Sequence, residues 1–290
     1  MKYCQNIDIS FEVFPAKSPD EFYKIHPVCA ALNQFNPDYF SVTFGAGGSF
    51  QCKTQQLVRE LVNAQLTITP HISCVEMTKQ RLSDILAEYK GLNIHHLVVI
   101  QGDLPPEGEH KGDFHYAHEL VEYIRKISGN YFFISVAAYP EYHPRAVNSL
   151  TDLKNFKNKL EAGANNAITQ YFFNTDAYFR FLEACEKIGV TAPIIPGIMP
   201  IHDYHKLVRF SNACGAEIPL WLRKQLEVYV DDPVSFKKIG IEIVTKLCER
   251  LLSEGVNALH FYTLNQIEPT ATIIKHLQLP EKNRLSAAVS

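Results

Sequence analysis

The chain has 290 residues, 46% of them hydrophobic and 20% charged, with a formal net charge of −3. That is enough for one large core, and α/β barrels of about 250 residues commonly form a single domain. No basic patch stands out, which argues against nucleic-acid binding, and no apolar run reaches the roughly 18 residues of a membrane span. The start, Met1-Lys2-Tyr3-Cys4-Gln5-Asn6, carries no apolar signal core. The seven cysteines are scattered and form no Cys-x-x-Cys pair, so neither a metal site nor a disulfide framework is indicated. Reduced thiols in a cytoplasmic protein are the simplest expectation.

From Ile7 the sequence alternates. Ile7, Ile9, Phe11 and Val13 fall on one face of a strand, and Asp8, Ser10, Glu12 and Phe14 on the other. Pro15 ends it. With the apolar face against helices, Glu12 points into an interior near the strand's carboxyl end. Desolvation there raises a carboxyl pKa and suits it to donate a proton; a structural ion pair with an internal base is the other reading. Ser18-Pro19-Asp20-Glu21 predicts a helix start, with Ser18 as cap and a helix to about Leu32. A second strand, Tyr39 to Phe44, puts Ser41 and Thr43 on its polar face and ends in Gly45-Ala46-Gly47-Gly48-Ser49. This loop lacks the G-x-G-x-x-G spacing of a dinucleotide fingerprint. A helix follows from about Lys53 to Ala64.

The third strand, Thr67 to Cys74, carries His71 after Pro70, near its end; the next helix is Thr78 to Tyr89. In the fourth strand, Ile94 to Gln101, the run Leu97-Val98-Val99-Ile100 suits burial on both faces. Gln101-Gly102-Asp103 and Leu104-Pro105-Pro106 then stop it. A carboxylate at such a strand end stands where α/β barrels keep their chemistry, although a turn-capping Asp reads the same way. The loop runs on through Glu107-Gly108-Glu109-His110. A helix is predicted over Phe114 to Ile127 and a fifth strand over Tyr131 to Tyr139, where Ala137 and Ala138 leave room for a flat ligand beside Tyr139. The helix from Asp152 to about Ala162 carries Lys154, Lys157 and Lys159. A bound phosphate accounts for cations near a helix start, and a solvated face does so nearly as well.

The sixth strand, Ala167 to Phe173, holds Gln170 in its middle, an amide that needs partners if buried. Asn174 caps a helix to about Lys187. A seventh strand spans Pro193 to Met199, followed by the helix His202 to Cys214. Ile218 to Val228 is an extra helix, since no strand separates it from the long helix Pro233 to Ser253. The eighth strand is Gly255 to Tyr262, running into Thr263-Leu264-Asn265-Gln266. Ile267 to Leu277 is the last helix, and the tail from Glu281 to Ser290 is expected to fray. Eight strands, each followed by a helix, predict an α/β fold: a single (β/α)8 TIM barrel over residues 1–290, with an extra helix before the last barrel helix. Its polar strand-end residues converge on one mouth.

The segments Ser10-Phe11-Glu12-Val13-Phe14-Pro15, Val42 to Ser49, Pro70 to Cys74, Gly102-Asp103-Leu104-Pro105, Ala137 to Glu141, Ala162 to Asn165, Ala167 to Gln170, Ile195 to Pro200 and His260 to Asn265 occur in order over nearly the whole chain. Together they resemble the bacterial 5,10-methylenetetrahydrofolate reductases. The resemblance implies an FAD-dependent barrel of the short form, without a regulatory domain. Such an enzyme passes hydride from NADH or NADPH, NADH being preferred, to 5,10-methylenetetrahydrofolate. The product, 5-methyltetrahydrofolate, serves methionine synthesis. Homo-oligomeric assembly is expected by the same resemblance.

It also implies roles. Glu12 matches the acid that protonates folate N10 and opens the ring to an iminium ion. Asp103 matches a carboxylate beside flavin and pterin, whose charge favours that cation. Gln170 matches a folate contact, and Phe210 an aromatic that stacks on the substrate or nicotinamide. Thr43, His71, Gln101, Gly102, Tyr139, His143, Ala146, Asp152, Asn155 and Lys159 match positions lining FAD, with Lys159 the partner for its pyrophosphate. Ala164 matches a helix position that affects flavin retention. Three departures stand out: Gln101 and Gln266 replace the arginines usual at those places, and Asn158 stands where a basic residue is common. They predict weaker anchoring of FAD and altered recognition of the folate tail, near which Gln266 falls. The alternatives are a redox-inactive folate-binding barrel or partner-dependent subunit, and a pterin methyltransferase barrel without FAD.

Overall fold

The structure, a computed structural model, describes residues 6–15, 19–44, 48–102 and 112–279, and only the backbone of 19–22 and 48–52. Ser18 as a cap, the Gly45-Ala46-Gly47 stretch, Asp103 with its loop through His110, and the tail 281–290 lie outside the described residues.

Strands and helices alternate as expected: β1 (Asp8–Val13), α1 (Pro19–Asn33), β2 (Tyr39–Val42), α2 (Gly48–Asn63), β3 (Ile68–Ser73), α3 (Lys79–Gly91), β4 (His96–Ile100), α4 (Ala117–Ser128), β5 (Phe133–Ala138), α5 (Ser149–Glu161), β6 (Asn166–Thr169) and α6 (Thr175–Lys187). Then come β7 (Ile194–Ile195), β8 (Gly197–Ile198), α7 (Tyr204–Cys214), α8 (Leu220–Glu227), α9 (Pro233–Ser253), β9 (Ala258–Tyr262) and α10 (Thr270–Leu277). All strand pairs are parallel, in the order β7-β6-β5-β4-β3-β2-β1-β9-β8. The expected seventh strand is split. Pro196 has no N–H to give a ladder, so Ile194–Ile195 pair with β6 while Gly197–Ile198 pair with β9. Because β7 and β8 are the two ends of the sheet and are joined through Pro196, the sheet closes on itself as a TIM barrel.

The closure is tight. A side chain on Gly197 would run into the Thr169 carbonyl oxygen at 2.1 Å and the Tyr262 ring at 2.6 Å, so only glycine fits. Gly197 N–H donates to Thr169 Oγ1 (2.9 Å), and Tyr262 Oη donates to the Thr169 carbonyl (2.7 Å).

The alternation read in β1 sorts its side chains as expected. Ile9, Phe11 and Val13 are buried between the barrel and its helices, with the Phe11 ring 5.5 Å from Phe40 and 6.1 Å from Phe261 between centroids. Burying such rings is worth roughly 2–3 kcal/mol each. Helix starts differ from the reading where caps were missed. Asn148 accepts from Thr151 N–H and starts α5 at Ser149, three residues before Asp152. The Glu119 carboxylate accepts from the backbone N–H of His115 and Tyr116, so α4 starts at Ala117 rather than Phe114.

Candidate active site

At the carboxyl ends of the strands lies a cavity of about 800 Å³, in the upper part of the usual range for ligand sites. Two walls differ in character.

The first wall is built by β1, β3 and β9. Glu12 reaches it from the inward face of β1, opposite Ser41 and Tyr262 in the register. The strand end is clamped: Thr263 Oγ1 donates to the Glu12 carbonyl (2.6 Å), Asn265 Oδ1 accepts from Phe14 N–H (2.9 Å) and Asn265 Nδ2 donates to the Phe14 carbonyl (2.8 Å). One side-chain amide thus stands in for a strand neighbour. Glu12 Oε2 lies 3.6 Å from His71 Nε2, and the side chains are 19% and 7% exposed. Burial pushes the Glu12 carboxyl up to about 8 and the His71 imidazole down to about 3. Both are therefore neutral near pH 7, and Glu12 holds a proton it can give away. His71 Nε2 has no hydrogen-bond partner among the described residues. Behind them His260, likewise pushed down to about 3 by burial and then by His71, stands 2.7 Å from Ser10 Oγ through Nδ1.

The second wall is built by the ends of β4 and β5, the loop after β5, and α5. Asp152, Asn155 and Lys159 line the cavity from one face of α5, three and four residues apart. Lys159 Nζ donates to the Ala137 carbonyl (2.5 Å). Burial pushes its ammonium down to about 8, with Asp152 opposing the shift. Lys159 sits in the last turn of α5, not near its start, so the helix dipole already favours a cation there. Lys154 is exposed and Lys157 Nζ is spent on the Ile188 carbonyl. The three lysines thus form no common cluster, and only Lys159 faces the cavity. Asp152 Oδ2 accepts from His143 N–H (2.9 Å), and the His143 ring meets Tyr139 edge-on at 4.6 Å. Gly102, at φ 83°, passes so close to Ser73 that a side chain there would strike Ser73 Oγ.

Thr43, Gln101, Ala146, Gln170 and Phe210 also line the cavity, which thus gathers every predicted site residue but Asp103, Gln266 and Ala164, the last lying in the loop after α5 rather than on a helix. Asp103 lies outside the described residues. Gln266 follows β9 but does not line the cavity; its N–H donates to the Thr263 carbonyl. Gln170 stands just past the end of β6 rather than in a strand's middle, its Oε1 accepting from Tyr171 N–H (3.0 Å). The strand ends early because Thr169 is committed to closing the barrel. The reading assigned no role to Arg145, Tyr171, Cys214, His260 or Tyr262, which share the lining, nor to the clamp of Thr263 and Asn265. The His260 to Asn265 segment stands out in the sequence as a motif, without a signal for what it holds.

The second wall suits an anionic, elongated group. Lys159 is a half-buried cation with a carbonyl as its direct partner, and no carboxylate among the described residues comes within ion-pair distance of it. Ala137 and Ala146 leave space beside it. A dinucleotide's pyrophosphate fits this donor set. Among the described residues no group of His, Cys, Asp and Glu is arranged to hold a metal, and no helix is long and apolar enough to cross a membrane.

Residues 2–278 match the family model described as methylenetetrahydrofolate reductase. The chain is 39% identical over 262 residues to the 5,10-methylenetetrahydrofolate reductase of Buchnera aphidicola subsp. Schizaphis graminum, covering 90% of this chain and 88% of that one. It is 34% identical over 295 residues to a rice protein named probable methylenetetrahydrofolate reductase (NADH); that match covers 97% of this chain but 50% of the rice protein. A solved structure from Clostridium thermocellum, described as binding two copies of 5-methyl-5,6,7,8-tetrahydrofolic acid, shares the fold at a TM-score of 0.63 and 17% identity, over 93% of this chain and 94% of that one.

Proposed function

The chain belongs to the methylenetetrahydrofolate reductase family, and from that premise we propose that it reduces 5,10-methylenetetrahydrofolate to 5-methyltetrahydrofolate with FAD, taking its electrons from NADH. The observation that carries this reading is the largely buried Glu12 carboxyl, 3.6 Å from His71, facing a cavity whose other wall presents a cation for a phosphate.

FAD, once bound, supplies the two-electron relay that accepts hydride from the nicotinamide and delivers it to the folate. Lys159 would meet the pyrophosphate, and Asp152, Asn155, His143 and Gly102 would line the nucleotide. Glu12 gives its proton to N10 of the folate, which breaks the bond between N10 and the bridging carbon and leaves an iminium at N5. Hydride on that carbon makes the methyl group, so one proton and one hydride enter and the charges balance. The Glu12 carboxylate left behind is attracted to the cationic iminium. Gln170 offers an amide to the pterin's hydrogen-bonding edge, and Phe210 offers a face for stacking. NADH is favoured as donor by the name of the rice relative.

The test is the visible absorbance of the purified chain under anaerobic conditions. The flavin band is expected to bleach with NADH and to return with 5,10-methylenetetrahydrofolate. A protein that stays colourless after added FAD would count against the reading and favour a folate binder without redox activity.

A further inference from the structure

Gln101 and Arg145 lie 44 residues apart, yet both line the cavity, and Arg145 Nη2 donates to Gln101 Oε1 (3.1 Å). The amide's other end, Nε2, donates to the His115 carbonyl (2.9 Å). Gln101 is therefore oriented by its two partners, its oxygen toward the guanidinium and its nitrogen toward a carbonyl. The base of Arg145 is fixed as well. Its N–H donates to His143 Nδ1 (3.1 Å), Ala146 N–H donates to the His143 carbonyl (2.8 Å), and His143 N–H is held by Asp152. A long, flexible side chain is thus tied at its root and at its tip. No carboxylate among the described residues pairs with it. A fixed guanidinium that pairs with no carboxylate among the described residues, on the wall that carries Lys159, is suited to meet an anion, and its planar fork matches phosphate oxygens.

We infer that Arg145, positioned by Gln101, is a second cationic contact for the cofactor's pyrophosphate, in addition to Lys159. The inference rests on the FAD reading above and reverses one expectation drawn from the sequence. Gln101 does not leave the phosphate site short of a charge; it is the acceptor that holds the charge supplied by Arg145. An arginine at position 101 would face Arg145 with a second guanidinium and nothing to accept its hydrogen bond.

Equilibrium titration by flavin fluorescence tests this without recourse to activity. Arg145 is exposed, so its truncation is not expected to unfold the chain, and thermal melts without flavin check that. Arg145→Ala is expected to weaken FAD binding about tenfold, equivalent to about 1.4 kcal/mol, to flatten the salt dependence of the Kd, and to leave riboflavin, which has no phosphate, within about twofold. Gln101→Arg alone is expected to gain little, but in the Arg145→Ala background it is expected to recover most of the lost FAD affinity, a coupling read from the double-mutant cycle. An unchanged FAD Kd in Arg145→Ala would overturn the inference while leaving FAD use intact. So would an equal loss for riboflavin, or an effect confined to the KM for folate, which would assign the charge to the folate's glutamate tail. A parent chain that binds no flavin would overturn the FAD reading and this inference with it.

Discussion

The two walls of the cavity treat charge in opposite ways. On the β1, β3 and β9 wall, Glu12, His71 and His260 are removed from water, and burial drives all three toward neutral forms. On the α5 wall, Arg145 is exposed and Lys159 keeps an ammonium near neutral pH although its pKa is pushed down to about 8. An acid that must hold its proton at pH 7 needs the dry side, and an anchor for phosphate needs groups that stay charged. One barrel mouth provides both because of residue class: burial disfavours charge on Lys159 as well, but lysine's ordinary pKa of 10.5 is high enough that a value of about 8 still leaves an ammonium at neutral pH.

The sharpest way to break this contrast is at Glu12. Glu12→Gln keeps the shape and removes the proton, so folate reduction is expected to fall by about 10² to 10⁴, while reduction of the flavin by NADH is expected to hold. Rapid mixing of each half-reaction separates the two; an equal loss in both would make the dry wall a binding feature rather than the acid's seat. Next in size is Lys159→Met, expected to raise the FAD Kd by roughly ten- to a hundredfold, as loss of a charged hydrogen bond implies. Its folate half-reaction, measured at saturating FAD, should change far less, because the two walls do separate work. Calorimetry would read a third change. Asn265→Ala leaves Phe14 N–H and carbonyl without their partner and is expected to cost about 1–3 kcal/mol of stability, with Glu12's strand end loosened and the folate step slowed alongside. The smallest effect is expected at Gln266, outside the cavity. Gln266→Ala should leave the FAD Kd within about twofold, as for other substitutions away from a site, and a larger shift would extend the second wall past β9.

The dry wall was legible in the sequence where it depended on local pattern. Period-2 alternation from Ile7 to Val13 placed Glu12 inward, and the Pro70-His71 strand end placed His71 at the same mouth. What held Glu12 in place was not legible, because Asn265 and Thr263 act across 251 residues and a polar turn after a strand looks the same whatever it clamps. The anchoring wall was read less well. Missing the Asn148 cap started α5 late and set three lysines together near a helix start, whereas only Lys159 faces the cavity. Gln101 read as a lost charge because no local signal reveals that Arg145, in another loop, turns its guanidinium to it. Pro196, which splits the seventh strand, was visible as a residue, but its effect depends on β6 and β9 reaching it from opposite sides.

The central claim is that burial keeps Glu12 protonated as the acid for the folate step. It is tested most directly by the pH dependence of flavin reoxidation by 5,10-methylenetetrahydrofolate, followed by stopped flow on enzyme reduced beforehand. The acid form is the active one, so the rate should be level below a pKa of about 8 and should fall roughly tenfold per unit above it, with that break absent from the residual rate of Glu12→Gln. A break near the ordinary carboxylate range, or one that persists in Glu12→Gln, would contradict the account.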